Sequence, residues 1–175
     1  MSDLGQRLLD ASYLEGDFLL RSGRRSKFYL DKYLFSTQPD LLRDIAAGLA
    51  EKLPAYEPFH LLAGPELGAV AIVAAVSLAC GKPFAIVRKG EKGYGTNKDM
   101  EGRAEPGQTV VMIEDVVTSG GAAIMAAQKL REAGLTVPAL LCVVDREEGG
   151  RAAIEAEGLA FDPLFTATSL GIKKS

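Results

Sequence analysis

Histidine and cysteine are scarce in this chain of 175 residues, which has one histidine, His60, and two cysteines, Cys80 and Cys142. A zinc centre built from His and Cys therefore lacks ligands, and a Ser-His-Asp triad or another imidazole-based acid–base scheme lacks parts. Both cysteines lie in apolar runs and read as small buried hydrophobes. No stretch approaches the roughly 20 apolar residues of a membrane span, and residues 1–11 show no basic leader with an apolar run behind it. A cytoplasmic protein without a membrane partner is expected. With 20 basic and 23 acidic residues the net charge is −3, and the pI is near 5.3. That leaves no broad basic face to displace counterions from nucleic acid, so any anion site must be local.

The chain is 47% hydrophobic and 25% charged, which suits one globular domain spanning residues 1–175. Apolar runs bounded by Gly or Pro alternate with helical patterns, the signature of an α/β fold with a mostly parallel sheet flanked by helices. Residues 41–53 carry a helix stripe in Leu42, Ile45, Ala46 and Leu49. Residues 59–63, containing His60, read as a buried strand, and residues 66–79 as a helix packed on nearly every face. Strands follow at 84–87, 109–113, 137–144 and 161–165, with helices at 121–133 and 151–157. Residues 1–36 read as a short helix and extended pieces capping the sheet edge, ahead of a core from 37 to 175.

The strand predicted at 109–113 runs into Glu114-Asp115-Val116-Val117-Thr118-Ser119-Gly120-Gly121-Ala122. Backbone N–H groups of residues 118–122 would converge at a helix N-terminus, where the helix dipole favours an anion such as one phosphate. The two acids repel a polyphosphate lying directly on them but accept hydrogen bonds from a vicinal diol such as ribose O2 and O3. A Walker-type loop needs a lysine before its Ser or Thr, and none is present.

Two long connections stand out as places for binding. Residues 89–108 hold five glycines, too many to pack as a regular element, so this segment should move when empty. Arg88, Lys89 and Lys92 against Glu91 give its start a positive excess suited to pyrophosphate. The other precedes the sheet. There Arg21, Arg24, Arg25 and Lys27 cluster without an acid before Phe28-Tyr29, an arrangement suited to a flat anion. A plain exposed hairpin with Tyr29 in the core would use the same residues. Arg146 follows the strand at 137–144, at the sheet edge expected for Asp115, where ligands of open parallel sheets bind.

Residues 18–29, 88–96, 114–122 and 144–149 resemble, in that order, the first base-binding segment, catalytic loop, phosphate cradle and second base-binding segment of orotate phosphoribosyltransferases, members of the type I phosphoribosyltransferase family. The resemblance implies a type I fold with a small N-terminal hood at residues 1–36 and a flexible catalytic loop. The implied activity is transfer of phosphoribosyl from 5-phospho-α-D-ribose 1-diphosphate to orotate, giving orotidine 5′-monophosphate and pyrophosphate in pyrimidine synthesis. Lys92, Asp115 and Glu114 are then catalytic. Arg88, Lys89, Lys92, Glu114, Asp115, Val116, Val117, Thr118, Ser119, Gly120, Gly121 and Ala122 bind the sugar diphosphate, and Arg21, Phe28, Tyr29, Thr118 and Arg146 bind orotate. Mg²⁺ is implied as cofactor, held mainly by substrate oxygens and water rather than by a carboxylate cage. A homodimer sharing the catalytic loop between subunits is implied as well. Two positions depart from the family pattern: Leu67 stands where many members have lysine, and Tyr94 where many have histidine. The alternatives are a purine or uracil phosphoribosyltransferase, and a non-catalytic phosphoribosyl pyrophosphate sensor.

Overall fold

The computed structural model describes residues 2–19, 25–90 and 99–172. Helix α1 (Asp3–Ser12) starts at Ser2, whose hydroxyl accepts the Gly5 N–H at 3.1 Å. Strands β1 (Tyr13–Leu19) and β2 (Arg25–Leu30) pair antiparallel in a small sheet of their own. The Asp31 carboxylate then accepts the Tyr33 N–H at 3.0 Å and starts α2 (Lys32–Ser36). The longer α3 (Pro39–Ala50) begins on proline, whose missing N–H costs nothing in a first turn, and buries Leu41, Ile45, Ala46 and Leu49 on one stripe.

The main sheet is built from β3 (Leu61–Pro65), β4 (Phe84–Val87), β5 (Met100–Glu101), β6 (Thr109–Val117), β7 (Thr136–Asp145) and β8 (Ala160–Thr166), in the order β5-β4-β3-β6-β7-β8. Every pairing is parallel except β4 with the short edge strand β5. Helices cover both faces, which is why the central strands read as continuous apolar runs. On one face Val111 and Ile113 of β6 join Ile45, Leu49, Ile72 and the N-terminal residues Leu8 and Phe35. On the other, Val110 and Met112 join Ala126 and Leu130 of α5 (Gly121–Glu132) and Ile154 of α6 (Gly150–Ala156). Because all five parallel strands end at one edge, the segments after Pro65, Val87, Val117, Asp145 and Thr166 meet there.

Several expectations are corrected in detail. The strand expected to stop at residue 113 continues to Val117, so Glu114 and Asp115 sit inside β6; Glu114 pairs in register with Cys142, and Val117 with Asp145. The helix expected from residue 66 is α4 (Val70–Cys80), since residues 66–69 form a turn. It is packed on one side only: Ile72, Val73 and Val76 are buried, whereas Leu78 is 88% exposed. Cys80, beyond Leu78, is only partly covered, while Cys142 is buried. His60 lies just before β3 rather than within it. Its ring is exposed, and Nδ1 accepts the Thr109 N–H at 2.9 Å.

The connection 89–108 contains the unanticipated β5, which returns along β4. Its base is tied where the Arg88 N–H donates to the Asp99 carbonyl at 2.8 Å and the Lys129 ammonium reaches the Arg88 carbonyl at 2.9 Å and the Asp99 carboxylate at 2.8 Å. Residues 91–98, with Lys92 and Tyr94, lie outside the described residues, as do Arg21 and Arg24.

Candidate active site

A cleft of about 410 Å³ opens at the carboxyl edge of the sheet, beneath the end of β2 and the start of α2. Its floor is the end of β6. Asp115 is 1% and Glu114 7% exposed, and the Glu114 carboxylate folds back to accept the Asp115 N–H at 3.0 Å. Burial, and next the charge of Asp115, push the Glu114 carboxyl up to about 8. Asp115 faces Lys32 instead: Nζ lies 2.7 Å from Oδ2 in an ion pair whose angle makes no aligned hydrogen bond. The Asp115 Oδ1 accepts the Val116 N–H, which fixes the carboxylate from the other side.

On one wall, Thr118, Ser119 and Ala122 line the cleft where β6 passes into α5. Gly120 makes that turn with φ +82°, in the left-handed region that glycine enters without strain, and no side chain caps the helix. The first N–H groups of α5 are thus available to an anion. The turn is held from behind by Gly150 at the start of α6. A β-carbon there would lie 2.4 Å from the Thr118 carbonyl oxygen and 2.5 Å from Val117 Cγ1.

The opposite wall is formed by the turn after β3. Glu66 lines the cleft, its carboxylate accepting the Lys89 N–H at 2.8 Å, and the Lys89 side chain lines the same space. Gly68 comes so close to the floor that a β-carbon would sit 1.6 Å from Asp115 Oδ2, so only glycine fits. Arg88, expected on the diphosphate, lines with Met125 and Lys129 a cavity that adjoins the cleft and shares Pro65, Lys89 and Ala122 with it. It pairs with Glu101 at 3.4 Å, because the antiparallel return of β5 brings Glu101 beside it.

At the far end stand Tyr29 and Arg146. Tyr29 is 39% exposed and lines the cleft, whereas its neighbour Phe28 is buried, stacked on Tyr13 at 5.5 Å. Adjacent residues of a strand face opposite ways, so the expected pair of base-binding aromatics divides into one on the wall and one behind it. This also reverses the hairpin alternative, in which Tyr29 was the core residue. Phe28 still has a part: the Arg146 guanidinium lies 4.9 Å from its ring and pairs with Glu148 at 2.9 Å, which holds the cation against the cleft. Arg25 is exposed and engaged by Asp17 at 2.6 Å.

The cleft therefore unites Tyr29, Lys89, Glu114, Asp115, Val116, Thr118, Ser119, Ala122 and Arg146 among the expected residues. Val117 is buried beneath the turn, and Gly121 lines the adjoining cavity. Lys32, Glu66, Gly68 and Glu148 were not anticipated individually. The strand and helix expected at 59–63 and 66–79 imply a turn near Glu66 and Gly68, but no local pattern marks Lys32, whose place follows from how the start of α2 lies over the sheet edge. Cys142 takes no part, since burial, and then the carboxylates of Asp145, Glu114 and Asp115, raise its thiol well above the usual range.

Residues 37–155 match the phosphoribosyl transferase domain family. The orotate phosphoribosyltransferase of Methanocella arvoryzae is 47% identical over 155 residues, covering 89% of this chain and 87% of that protein. The chain belongs to the orotate phosphoribosyltransferase family. That of Pyrococcus horikoshii is 46% identical over 156 residues, 89% of this chain and 84% of the relative. Among solved structures, the Mycobacterium tuberculosis orotate phosphoribosyltransferase in complex with 5-phospho-α-D-ribosyl 1-diphosphate aligns with TM-score 0.82 at 29% identity, over 97% of both chains. The mostly parallel sheet flanked by helices is that of the type I phosphoribosyltransferases, as the resemblance implied.

Proposed function

We propose that the protein transfers phosphoribosyl from 5-phospho-α-D-ribose 1-diphosphate to orotate, releasing pyrophosphate and orotidine 5′-monophosphate for pyrimidine synthesis. The observation that carries this reading is that one cleft is lined by Arg146 and Tyr29, by the turn into the α5 N-terminus, and by Glu114 and Asp115. A phosphate on the Thr118–Ala122 turn puts the ribose over the two acids. A planar carboxylate-bearing base then meets an aromatic face and a guanidinium. The base nitrogen attacks C1, the C1–O bond to pyrophosphate breaks with its electron pair leaving on oxygen, and the nitrogen's proton is lost. Positive charge grows on the ribose in between. Buried carboxylates at its hydroxyls stabilise that charge without having to reorganise.

Among the described residues no three carboxylate, histidine or cysteine side chains gather into a metal cluster. The oxygen donors of Glu114 and Asp115 on the cleft floor would suit a hard cation such as Mg²⁺ held mainly by substrate oxygens and water, and the ion would neutralise the diphosphate as it leaves. Residues 1–36 act as a hood on the 37–175 core in this reading. The catalytic loop with Lys92 belongs to a homodimer in which each loop serves the neighbouring site, supported by family membership and by the long connection 89–108. A cytoplasmic location fits the lack, among the described residues, of any helix long and apolar enough to cross a membrane.

The test is to incubate the protein with Mg²⁺, phosphoribosyl pyrophosphate and each of orotate, uracil, hypoxanthine and adenine. Rapid consumption of orotate alone is expected. Equal or faster use of a purine overturns the assignment, because Arg146 would then have no carboxylate to bind.

A further inference from the structure

Lys32 is a cation without an evident task in the family reading, yet it lines the cleft and faces its floor. Its ammonium is 2.7 Å from Asp115 Oδ2, and a β-carbon built on Gly68 would lie 2.7 Å from it. It thus bridges the acidic floor and the turn after β3. As the first residue of α2 it sits at the end where a helix dipole disfavours positive charge, so the helix gains nothing from a lysine there.

The turn it faces supplies no cation of its own. Glu66 is acidic, Leu67 is apolar and 66% exposed, Gly68 has no side chain, and Arg88 pairs with Glu101, which leaves Lys89, beyond the end of β4, as the one other described cation on this wall. A leaving diphosphate beside two carboxylates needs a local positive charge.

We propose that Lys32 holds the leaving pyrophosphate: ribose hydroxyls replace it on Asp115 when substrate enters, and the released ammonium turns to the diphosphate oxygens beside Gly68. The inference rests on reading the cleft as the phosphoribosyl pyrophosphate site. Lys32 acts as a fixed charge, not a proton donor. Burial works against its ammonium, but Asp115 and then Glu114 outweigh this and hold its pKa above the ordinary lysine value.

Calorimetric titration with pyrophosphate and Mg²⁺ tests this on the whole protein, as wild type, Lys32→Ala, Lys32→Arg and Lys32→Ala/Leu67→Lys. Loss of one charge-assisted contact should weaken pyrophosphate about tenfold or more in Lys32→Ala. The KM for phosphoribosyl pyrophosphate should rise in parallel, with the orotate KM within about twofold of wild type. Lys32→Arg should retain binding, and Leu67→Lys should restore part of what Lys32→Ala loses by returning a cation to the same turn. A merely structural lysine would not be rescued from position 67. Wild-type pyrophosphate affinity in folded Lys32→Ala, or a loss confined to orotate, overturns the role of Lys32. A wild-type protein that binds pyrophosphate but transfers to a purine overturns the orotate assignment and leaves Lys32 in place.

Discussion

Glu114 and Asp115 are adjacent carboxylates with different surroundings. Asp115 faces the Lys32 ammonium directly; for Glu114, burial and the charge of Asp115 outweigh the weaker pull of Lys32, and its carboxyl is pushed up to about 8. Without ligand, folded Glu114 therefore keeps its proton between about pH 4.5 and pH 8, where the unfolded chain has released it. The folded state binds more protons across that window, so stability falls as pH rises through it and levels off above. Lys32 has a raised value, so its contribution is complete throughout the window and is lost only above the ordinary lysine range. The melting temperature of the ligand-free protein should accordingly decline from about pH 5 to about pH 8, and Glu114→Gln, which cannot ionise, should flatten the decline. An unchanged slope in that variant would assign the titration to another group.

The elements legible in the sequence were those in which burial imposes a long pattern. β6, β7 and α3 were read because both faces of a covered parallel strand are apolar and because a helix against a sheet shows one stripe. β5 was missed because two residues, Met100 and Glu101, carry no periodicity and pair only through the backbone of β4. The end of β6 was misplaced because acids ordinarily signal a strand's exit to water, whereas here they are the buried floor of a site. Lys32 was invisible for a related reason, since its meaning depends on a fold between hood and sheet that no local spacing records.

At the same scale, the turn into α5 depends on the close approach of α6. Gly150→Ala should push the 118–120 turn aside, lowering stability by about 1–3 kcal/mol as for other overpacked sites. It should raise the KM for phosphoribosyl pyrophosphate more than that for orotate. Chemical denaturation and steady-state kinetics measure both, and equal effects on the two substrates would remove α6 from the support of the phosphate turn.

For the whole molecule, the decisive question is whose site the proposed catalytic loop serves. Lys92→Ala and Asp115→Asn should each be nearly inactive; the second loses a preorganised electrostatic group and about 10²-fold or more in turnover. In the proposed homodimer, random exchange of subunits makes about half the dimers hybrids, and a loop working in trans would give each hybrid one intact site of two. Roughly a quarter of wild-type activity should return. Exchange confirmed by mass spectrometry with activity still at the single-variant baseline places Lys92 in its own subunit's site.

The tie between Arg88 and Asp99 limits the answer either way. A segment whose two ends are pinned together is a noose, not a free arm: it extends only as far as the shorter of its two limbs. Lys92 is four residues from the pinned Arg88, so its backbone travels about 14 Å at full stretch before its side chain is added. That radius acts as a ruler for the assembly. In the proposed dimer, a neighbouring subunit can use this lysine only if its cleft lies within that radius plus the length of a lysine side chain from the end of β4.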